Sequence, residues 1–355
     1  MSQQAGSGHP GATHPPGLDL DRLRDYLDRA HPGLVDGPLA AELISGGKSN
    51  LTYRLHDSAH RWVVRRPPLG HVLATAHDMG REHRVISALA GTGVPVPGAH
   101  LLCTDPDVLG APFYVMDEVR GSVYRNAEDV AGIGRERART MSFRLIDVLA
   151  ELHGIDPATV GLSDFGRPDG YLQRQLDRWL RQFEASRSRE IDGMAELQHR
   201  LAEHLPRTQR NTVVHGDYRL DNAIIAADDS VAAVLDWEMA TLGDPLADVG
   251  LLKVYWEIAA RIPGNPVAQA VSPEAGFPGM DELAGRYAER TGLDLAPLPW
   301  YTAFAGFKLA VISEGIHFRY TQGKTVGEGF AHIGGLVPLL VAASLETLLK
   351  LEGNN

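Results

Sequence analysis

The hydrophobic period of this chain changes once, near Val119–Gly121, and that change limits the folds open to it. Before it, apolar residues alternate in short runs: Ala41–Ile44, Leu51–His56, Arg61–Arg66, His100–Cys103 and Phe113–Val119. Runs of period two, split by Gly, Ser, Asn, Asp and Pro, read as strands. One helix interrupts them over Asp78–Leu89, with Met79, Val85, Ile86 and Leu89 on one face, Asp78 as its cap, and Gly91 and Gly93 as its stop. After Gly121 the period is helical. Arg137–His153 carries a stripe of Phe143, Ile146, Leu149, Ala150 and Leu152. Further helices fit Tyr171–Ser186, Met194–Leu205, Pro245–Ala260, Asp281–Thr291, Pro299–Tyr320 and, with breaks, Val326–Leu351. Only a small island, Val213–Val214, Ala223–Ala226 and Val231–Leu235, returns to strand character. This order predicts an α+β chain in two lobes. Residues 18–118 form a small, mostly antiparallel β lobe with one helix, and residues 119–355 a larger, mainly helical lobe joined to it by a hinge. Residues 1–17, rich in Gly, Pro, His and Ser, are expected to be a disordered tail.

Composition narrows the function classes. The formal net charge is −11, the reverse of the basic footprint that nucleic-acid binding requires. The single cysteine, Cys103, excludes an internal disulfide framework and a cysteine-rich zinc site. It lies in an apolar run and is expected to be a buried strand thiol. No charged-then-apolar leader opens the sequence, and the apolar stretch near Gly334–Leu345 contains Pro338 and reads as a buried helix. A cytoplasmic enzyme with no nucleic-acid, membrane or protein partner is the expectation.

The chemistry concentrates in Val214-His215-Gly216-Asp217-Tyr218-Arg219-Leu220-Asp221-Asn222 and in Val234-Leu235-Asp236-Trp237. Phosphoryl transfer needs a carboxylate to accept the proton of the attacking hydroxyl, two oxygen ligands for Mg²⁺, and a cation for the transferred charge. Asp217 sits in a loop between strand runs. Asn222 closes that loop. The turn Asp228-Asp229-Ser230 folds Val231–Leu235 back along Ala223–Ala226 and brings Asp236 to the end where Asn222 lies. Asn and Asp oxygens suit Mg²⁺. Arg219, two residues past Asp217, can reach a γ-phosphate.

The run His-Gly-Asp-x4-Asn followed by Asp-Trp at a strand end resembles the aminoglycoside phosphotransferase family, relatives of the protein kinases. The resemblance implies a protein-kinase-like bilobal fold, ATP as phosphoryl donor (GTP not excluded) and Mg²⁺. It makes Asp217 the catalytic base, Asn222 and Asp236 the metal ligands, and His215 a brace for the loop. Gly243-Asp244-Pro245-Leu246-Ala247-Asp248 matches the family's downstream segment, with Asp248 hydrogen-bonding the catalytic loop. Gly216 stands where many protein kinases have Arg, and Asp236-Trp237-Glu238 replaces Asp-Phe-Gly, so a small-molecule acceptor is favoured over a protein.

The first lobe should then hold nucleotide. Ser45-Gly46-Gly47-Lys48-Ser49-Asn50 joins two strands, and Gly46, Gly47, Ser49 and Asn50 are candidate phosphate contacts. It is not a Walker A loop, because Glu42 occupies the required first glycine. In Trp62-Val63-Val64-Arg65-Arg66, Arg65 is assigned the place of the kinase strand lysine, with Arg66 as competitor, and Glu82 is its ion-pair partner. Backbone groups around Asp117, Glu118 and Val119 are expected to read the adenine.

In detail the sequence looks closest to the kinase-like domains associated with acyl-CoA dehydrogenases. The residues behind this are Gly46-Gly47-x-Ser49-Asn50-x-Thr52-Tyr53, Val64-Arg65-Arg66-Pro67-Pro68 and Glu314-Gly315-Ile316-His317-x-Arg319-Tyr320. A hydroxy-acyl or other metabolic hydroxyl joins aminoglycoside-like acceptors as a candidate substrate. Glu238, Glu314, His317 and Arg319 are acceptor-side candidates, with Tyr124 and Arg125. Two rival readings remain. A pseudokinase draws support from Arg in place of the strand lysine. A metallophosphoesterase matches Gly216-Asp217-x-x-Asp221-Asn222 but lacks the flanking Asp-x-His and Gly-Asn-His.

Overall fold

A computed structural model describes residues 14–44, 50–69, 78–258, 271–324, 330 and 332–353. The chain divides into two compact units, Met1–Ala90 with Pro97–Val119, and Gly91–Val96 with Arg120–Asn355.

The first unit runs α1 (Leu20–Ala30), β1 (Ala40–Leu43), β2 (Leu51–His56), β3 (Arg61–Arg66), α2 (Met79–Leu89), β4 (Ala99–Cys103), α3 (Pro106–Leu109) and β5 (Phe113–Asp117). Its five strands form one sheet in the order β1-β2-β3-β5-β4, every pair antiparallel. Alternation sets the two faces. Trp62 and Val64 of β3 and Phe113 and Val115 of β5 join Leu20, Leu23 and Leu27 of α1 in one core. The opposite face takes α2, where His83 meets the Tyr114 ring edge-on. Asp78 accepts from the Arg81 amide and caps α2 as expected. Cys103 is buried.

Two features go beyond the sequence expectation. Helix α1, with Asp19 accepting from the amides of Asp21 and Arg22, adds to the one helix foreseen in this unit, as does the short α3. The described end of the expected tail is also tied down: the Tyr53 hydroxyl donates to the Pro16 carbonyl at 2.5 Å, and Arg66 donates to the Gly17 carbonyl.

The second unit holds α4 (Arg135–Gly154), α5 (Tyr171–Ser186), α6 (Met194–Glu203), β6 (Thr212–Val214), β7 (Ala223–Ile225), β8 (Val231–Val234), β9 (Thr241–Gly243), α7 (Leu246–Lys253), a π-helical turn Val254–Ile258, α8 (Met280–Thr291), α9 (Leu298–Thr321) and α10 (Ile333–Gly353). Helix α9 is apolar around most of its surface and lies at the centre. Helix α7 packs so closely on it that a Cβ on Gly250 would lie 2.6 Å from the Tyr301 carbonyl carbon. Helix α10 is long and apolar enough to cross a membrane by length and composition. Here Ile333, Leu336, Val337, Leu340 and Val341 are buried, and the helix packs on α9. Trp237, Trp256 and Trp300 are core residues.

Two small antiparallel pairs, β6–β9 and β7–β8, frame the functional loop. The β7–β8 turn carries Asp229 at φ 63°, held by a bidentate Arg137 contact at 2.6–3.1 Å. Strand β9, three residues ending in glycine, is too short to show alternation in the sequence.

Candidate active site

The loop between β6 and β7 is suspended from a buried carboxylate. Asp248, in the first turn of α7, accepts from the backbone amides of His215 at 2.6 Å and Gly216 at 2.7 Å. His153 of α4 donates to the same carboxylate through Nε2 at 3.2 Å, and its Nδ1 accepts from the Tyr287 hydroxyl at 2.7 Å. Burial alone would push the Asp248 carboxyl up. The hydrogen bond and electrostatic pull of His153, with the electrostatic pull and backbone amide of His215, outweigh it and hold the group below its ordinary value. Neighbouring Asp244 accepts from the Leu246 amide at 3.0 Å and from the Tyr301 hydroxyl at 2.8 Å.

His215 links this loop to the end of β8. Its Nε2 donates to the Leu235 carbonyl at 2.9 Å, and its Nδ1 accepts from the Asp217 amide at 3.2 Å. The ring is fully buried and packs on Trp237, with centroids 4.6 Å apart. Gly216 turns the chain at φ 84°, where a Cβ would lie 2.8 Å from both Cβ and the carbonyl oxygen of Met239. An arginine like that of protein kinases cannot stand there without moving Met239.

Asp217 therefore sits on a rigid platform. Its Oδ2 accepts from Asn222 Nδ2 at 3.1 Å and faces Arg219 Nε at 3.4 Å. Its Oδ1 accepts from the Tyr255 hydroxyl at 2.7 Å. Asn222 also donates to the Asp217 carbonyl at 2.9 Å, so its amide nitrogen is turned towards Asp217. The Asn222 carbonyl accepts from the Leu235 amide at 2.8 Å, and Ala223 pairs with Val234. That register puts Asp236 beside Asn222, as the hairpin reading expected. Asp236 adopts φ 66°, ψ 58°, a left-handed conformation that a side chain other than glycine holds at a cost of about 1–3 kcal/mol and that is common at functional sites. Burial would weaken the Arg219 charge, but Asp217, Tyr255, Asp221 and Asp236 outweigh it and raise its pKa, so both loop carboxylates lie near this guanidinium.

Asn222 and Asp236 offer hard oxygen donors of the kind Mg²⁺ prefers. Among the described residues no cluster of three or more His, Cys, Asp or Glu could hold a metal. Two protein ligands completed by phosphate and water is how Mg²⁺ is commonly held.

In the first unit, Arg65 Nε lies 3.1 Å from Glu82 Oε2, and Glu82 is only 1% exposed. Arg66 points to the other face, donating to the Leu109 carbonyl at 2.7 Å. Arg65 is thus the arginine beside Glu82, and Glu82 is not a solvated surface residue. Asn50 is buried, while Gly46, Gly47 and Ser49 lie outside the described residues. Two amides of the segment expected to read adenine are engaged inside the sheet, Asp117 with the Gly98 carbonyl at 2.8 Å and Glu118 with the Arg61 carbonyl at 3.4 Å. The Asp117 side chain meets His100, and that of Glu118 meets Arg54.

The acceptor-side candidates separate. Glu238 lies on the 3₁₀ turn after Asp236. Glu314 is fully buried and accepts from the Ser188 amide at 3.0 Å and hydroxyl at 2.6 Å, with Arg189 at 3.3 Å, so it anchors residues 188–189. His317 packs against Gly334, and Arg319 is exposed near the end of α9. Tyr124 is buried, and the Arg125 amide binds Asp129. Sequence reading missed Tyr255 and Lys308. Lys308 of α9 donates to the Gly216 carbonyl at 2.9 Å and lies 5.8 Å from the Trp179 ring centroid. Burial pushes its pKa down against the pull of Asp217 and Asp248.

A profile of the phosphotransferase enzyme family matches residues 40–292. Acyl-CoA dehydrogenase family member 11 of Gallus gallus is 34% identical over 344 residues, covering 94% of this chain. The chain spans only 44% of that relative's length. A crystal structure from Ralstonia eutropha JMP134, described as a candidate aminoglycoside phosphotransferase, superposes with TM-score 0.81 at 32% identity, covering 94% of this chain and 98% of the other. Aminoglycoside phosphotransferase APH(4)-Ia, solved with ADP and hygromycin B, gives TM-score 0.61 at 13% identity, covering 91% and 97%, and so shares the fold.

Proposed function

The chain belongs to the phosphotransferase enzyme family and is a small-molecule kinase, and from that premise we propose that Asp217 is the base that activates an acceptor hydroxyl towards the γ-phosphate of ATP. The carrying observation is the grouping of Asp217, Arg219 and Asn222 in one loop with Asp236 registered beside them. The acceptor oxygen bonds to the γ-phosphorus, the bond from that phosphorus to the β,γ-bridging oxygen breaks, ADP departs, and Asp217 takes the hydroxyl proton. Arg219 offsets charge on the transferred group. Asn222 and Asp236 would hold Mg²⁺, which when bound neutralises phosphate charge. Arg65, oriented by Glu82, is the cation for the nucleotide phosphates, a role that suits the bidentate guanidinium.

ATP as donor is supported by the ADP complex of the fold relative APH(4)-Ia. The acceptor is a small hydroxylated metabolite. A hydroxy-acyl compound is the first candidate, since the curated relatives that align over most of this chain bear the name acyl-CoA dehydrogenase.

Thermal unfolding with Mg·ATP, Mg·GTP and each nucleotide without metal tests this reading. Ligand at 100 times Kd stabilises the native state by about 2.7 kcal/mol. The wild type should gain stability with Mg·ATP, and Asp236→Ala should lose the metal-dependent part. Asp217→Ala should keep the gain while phosphoryl transfer slows by roughly 10²–10⁴, the scale of a lost general base. Unchanged Mg·ATP stabilisation in Asp236→Ala, or near-normal transfer in Asp217→Ala, would refute the assignment.

A further inference from the structure

Among the described residues, Asp217 accepts a hydrogen bond from one side chain outside its own loop. Tyr255 lies in the π-helical turn that follows α7, is only 6% exposed, and donates its hydroxyl to Oδ1 at 2.7 Å. The loop's own Asn222 and Arg219 both address the other oxygen, Oδ2. Oδ1 is therefore the oxygen that remains for an incoming hydroxyl, and a hydroxyl already sits on it. The oxygen–oxygen distance is the hydrogen-bond reach that a base needs to the hydroxyl it deprotonates. The face of the same ring carries the Arg219 guanidinium, 5.2 Å from the centroid. Burial, followed by the charge of Asp217, pushes the Tyr255 hydroxyl well above its ordinary pKa, so it stays a donor.

A kinase whose base stands ready risks passing phosphate to water. We propose that the Tyr255 hydroxyl holds the acceptor's place on Asp217 Oδ1, keeping water off the base until an acceptor hydroxyl displaces it. This rests on the reading of Asp217 as base. A phenol deep in a packed helical turn can satisfy the carboxylate while its own oxygen stays anchored. A water in the same place would be free to attack. π-Helical turns occur often at functional sites.

Tyr255→Phe keeps the ring and its contact with Arg219 and removes only the hydroxyl. Water can then bind Oδ1. Its oxygen bonds to the γ-phosphorus, the bond to the β,γ-bridging oxygen breaks, ADP leaves, and Asp217 takes the proton, giving ADP and phosphate.

The test uses the full chain with Mg·ATP and no acceptor. Phosphate release and the Mg·ATP thermal shift are measured in wild type, Tyr255→Phe, Asp217→Asn, the double variant and Lys308→Met. Tyr255→Phe should hydrolyse ATP about tenfold faster than wild type with its thermal shift intact, a modest share of what a positioned base supplies. The double variant should lose that gain. Hydrolysis in Tyr255→Phe at or below the wild-type rate, with Mg·ATP still bound, overturns the proposal and leaves the base assignment standing. A gain that survives in the double variant overturns the base assignment, and the proposal falls with it. An equal rise in Lys308→Met, which frees the Gly216 carbonyl without touching Oδ1, would trace the effect to a loosened loop and also overturn the proposal. Should the phenylalanine variant not fold, Tyr255→Leu carries the same expectation.

Discussion

Asp248→Asn isolates what the buried carboxylate does, because the side chain keeps its shape and loses its charge. Asp248 accepts three hydrogen bonds, at 2.6 and 2.7 Å from backbone amides and 3.2 Å from His153. Asparagine retains one acceptor oxygen and turns an NH₂ group towards a donor. With its oxygen at the Oδ2 place, the two bonds there become ordinary ones, a loss of about 1 kcal/mol between them, and the Gly216 bond at Oδ1 is lost with its donor left buried, a further 1–3 kcal/mol or so. The expected cost is about 2–4 kcal/mol, a large share of a stability that is typically about 5–15 kcal/mol. For a unit of this size that is a fall of about 5–15 °C in Tm. The pH dependence has a definite sign. Because the folded-state pKa lies below the unfolded value near 3.9, the contribution is present above that pH and lost as pH falls through the folded value. Wild type should therefore lose stability more steeply than Asp248→Asn below about pH 4. Urea unfolding at neutral pH and at a series of acid pH values measures both. A variant within 1 kcal/mol or so of wild type at pH 7, or parallel acid limbs, would refute the suspension of the loop from Asp248.

Gly216→Ala should cost about 2–4 kcal/mol in chemical unfolding, since φ 84° and the Met239 backbone 2.8 Å away both oppose a Cβ, and it should depress turnover by shifting Asp217. Glu82→Gln should destabilise the first unit by about 3–5 kcal/mol by leaving Arg65 with an uncharged partner, whereas Arg65→Met with Glu82→Leu should restore most of that stability and still fail to bind Mg·ATP. Equal nucleotide binding in the double variant would show that the pair serves packing alone.

Local signals were legible where the pattern was local. Strands Leu51–His56 and Arg61–Arg66 and helix Tyr171–Ser186 have the bounds that alternation and the 3.6-residue period predict. The loop residues from His215 to Asn222 could be read as a group because they are contiguous, and Asp236 followed from the hairpin register. Tyr255 and Lys308 could not, because they reach Asp217 and Gly216 from 38 and 92 residues away. Sequence spacing carries no distance across separate helices. Glu314 could be named from the sequence only as an acceptor-side candidate, because the Ser188 amide that it meets inside the unit lies 126 residues away. Helix α1 hides among charges, with only Leu20, Leu23 and Leu27 marking its buried side.

The energetics of the site also weigh on whether the chain is an active enzyme or a silent relative. Asp236 holds a left-handed backbone that glycine would adopt with less strain. Glu82 and Asp248 are charged groups almost without exposure, and Lys308 is desolvated beside the loop. Well-packed apolar replacements of a buried ion pair are often neutral or stabilising. A fold that only had to stand, or to bind a ligand loosely, would be more stable without these groups. Their cost makes sense where a carboxylate must be held still, a metal must be met at a fixed point, and a phosphate must find its cation already oriented. The arginine at position 65 does not weaken this argument. With Glu82 at 3.1 Å it is oriented, as a phosphate-binding cation must be, and it keeps its charge where a desolvated lysine would lose it more readily.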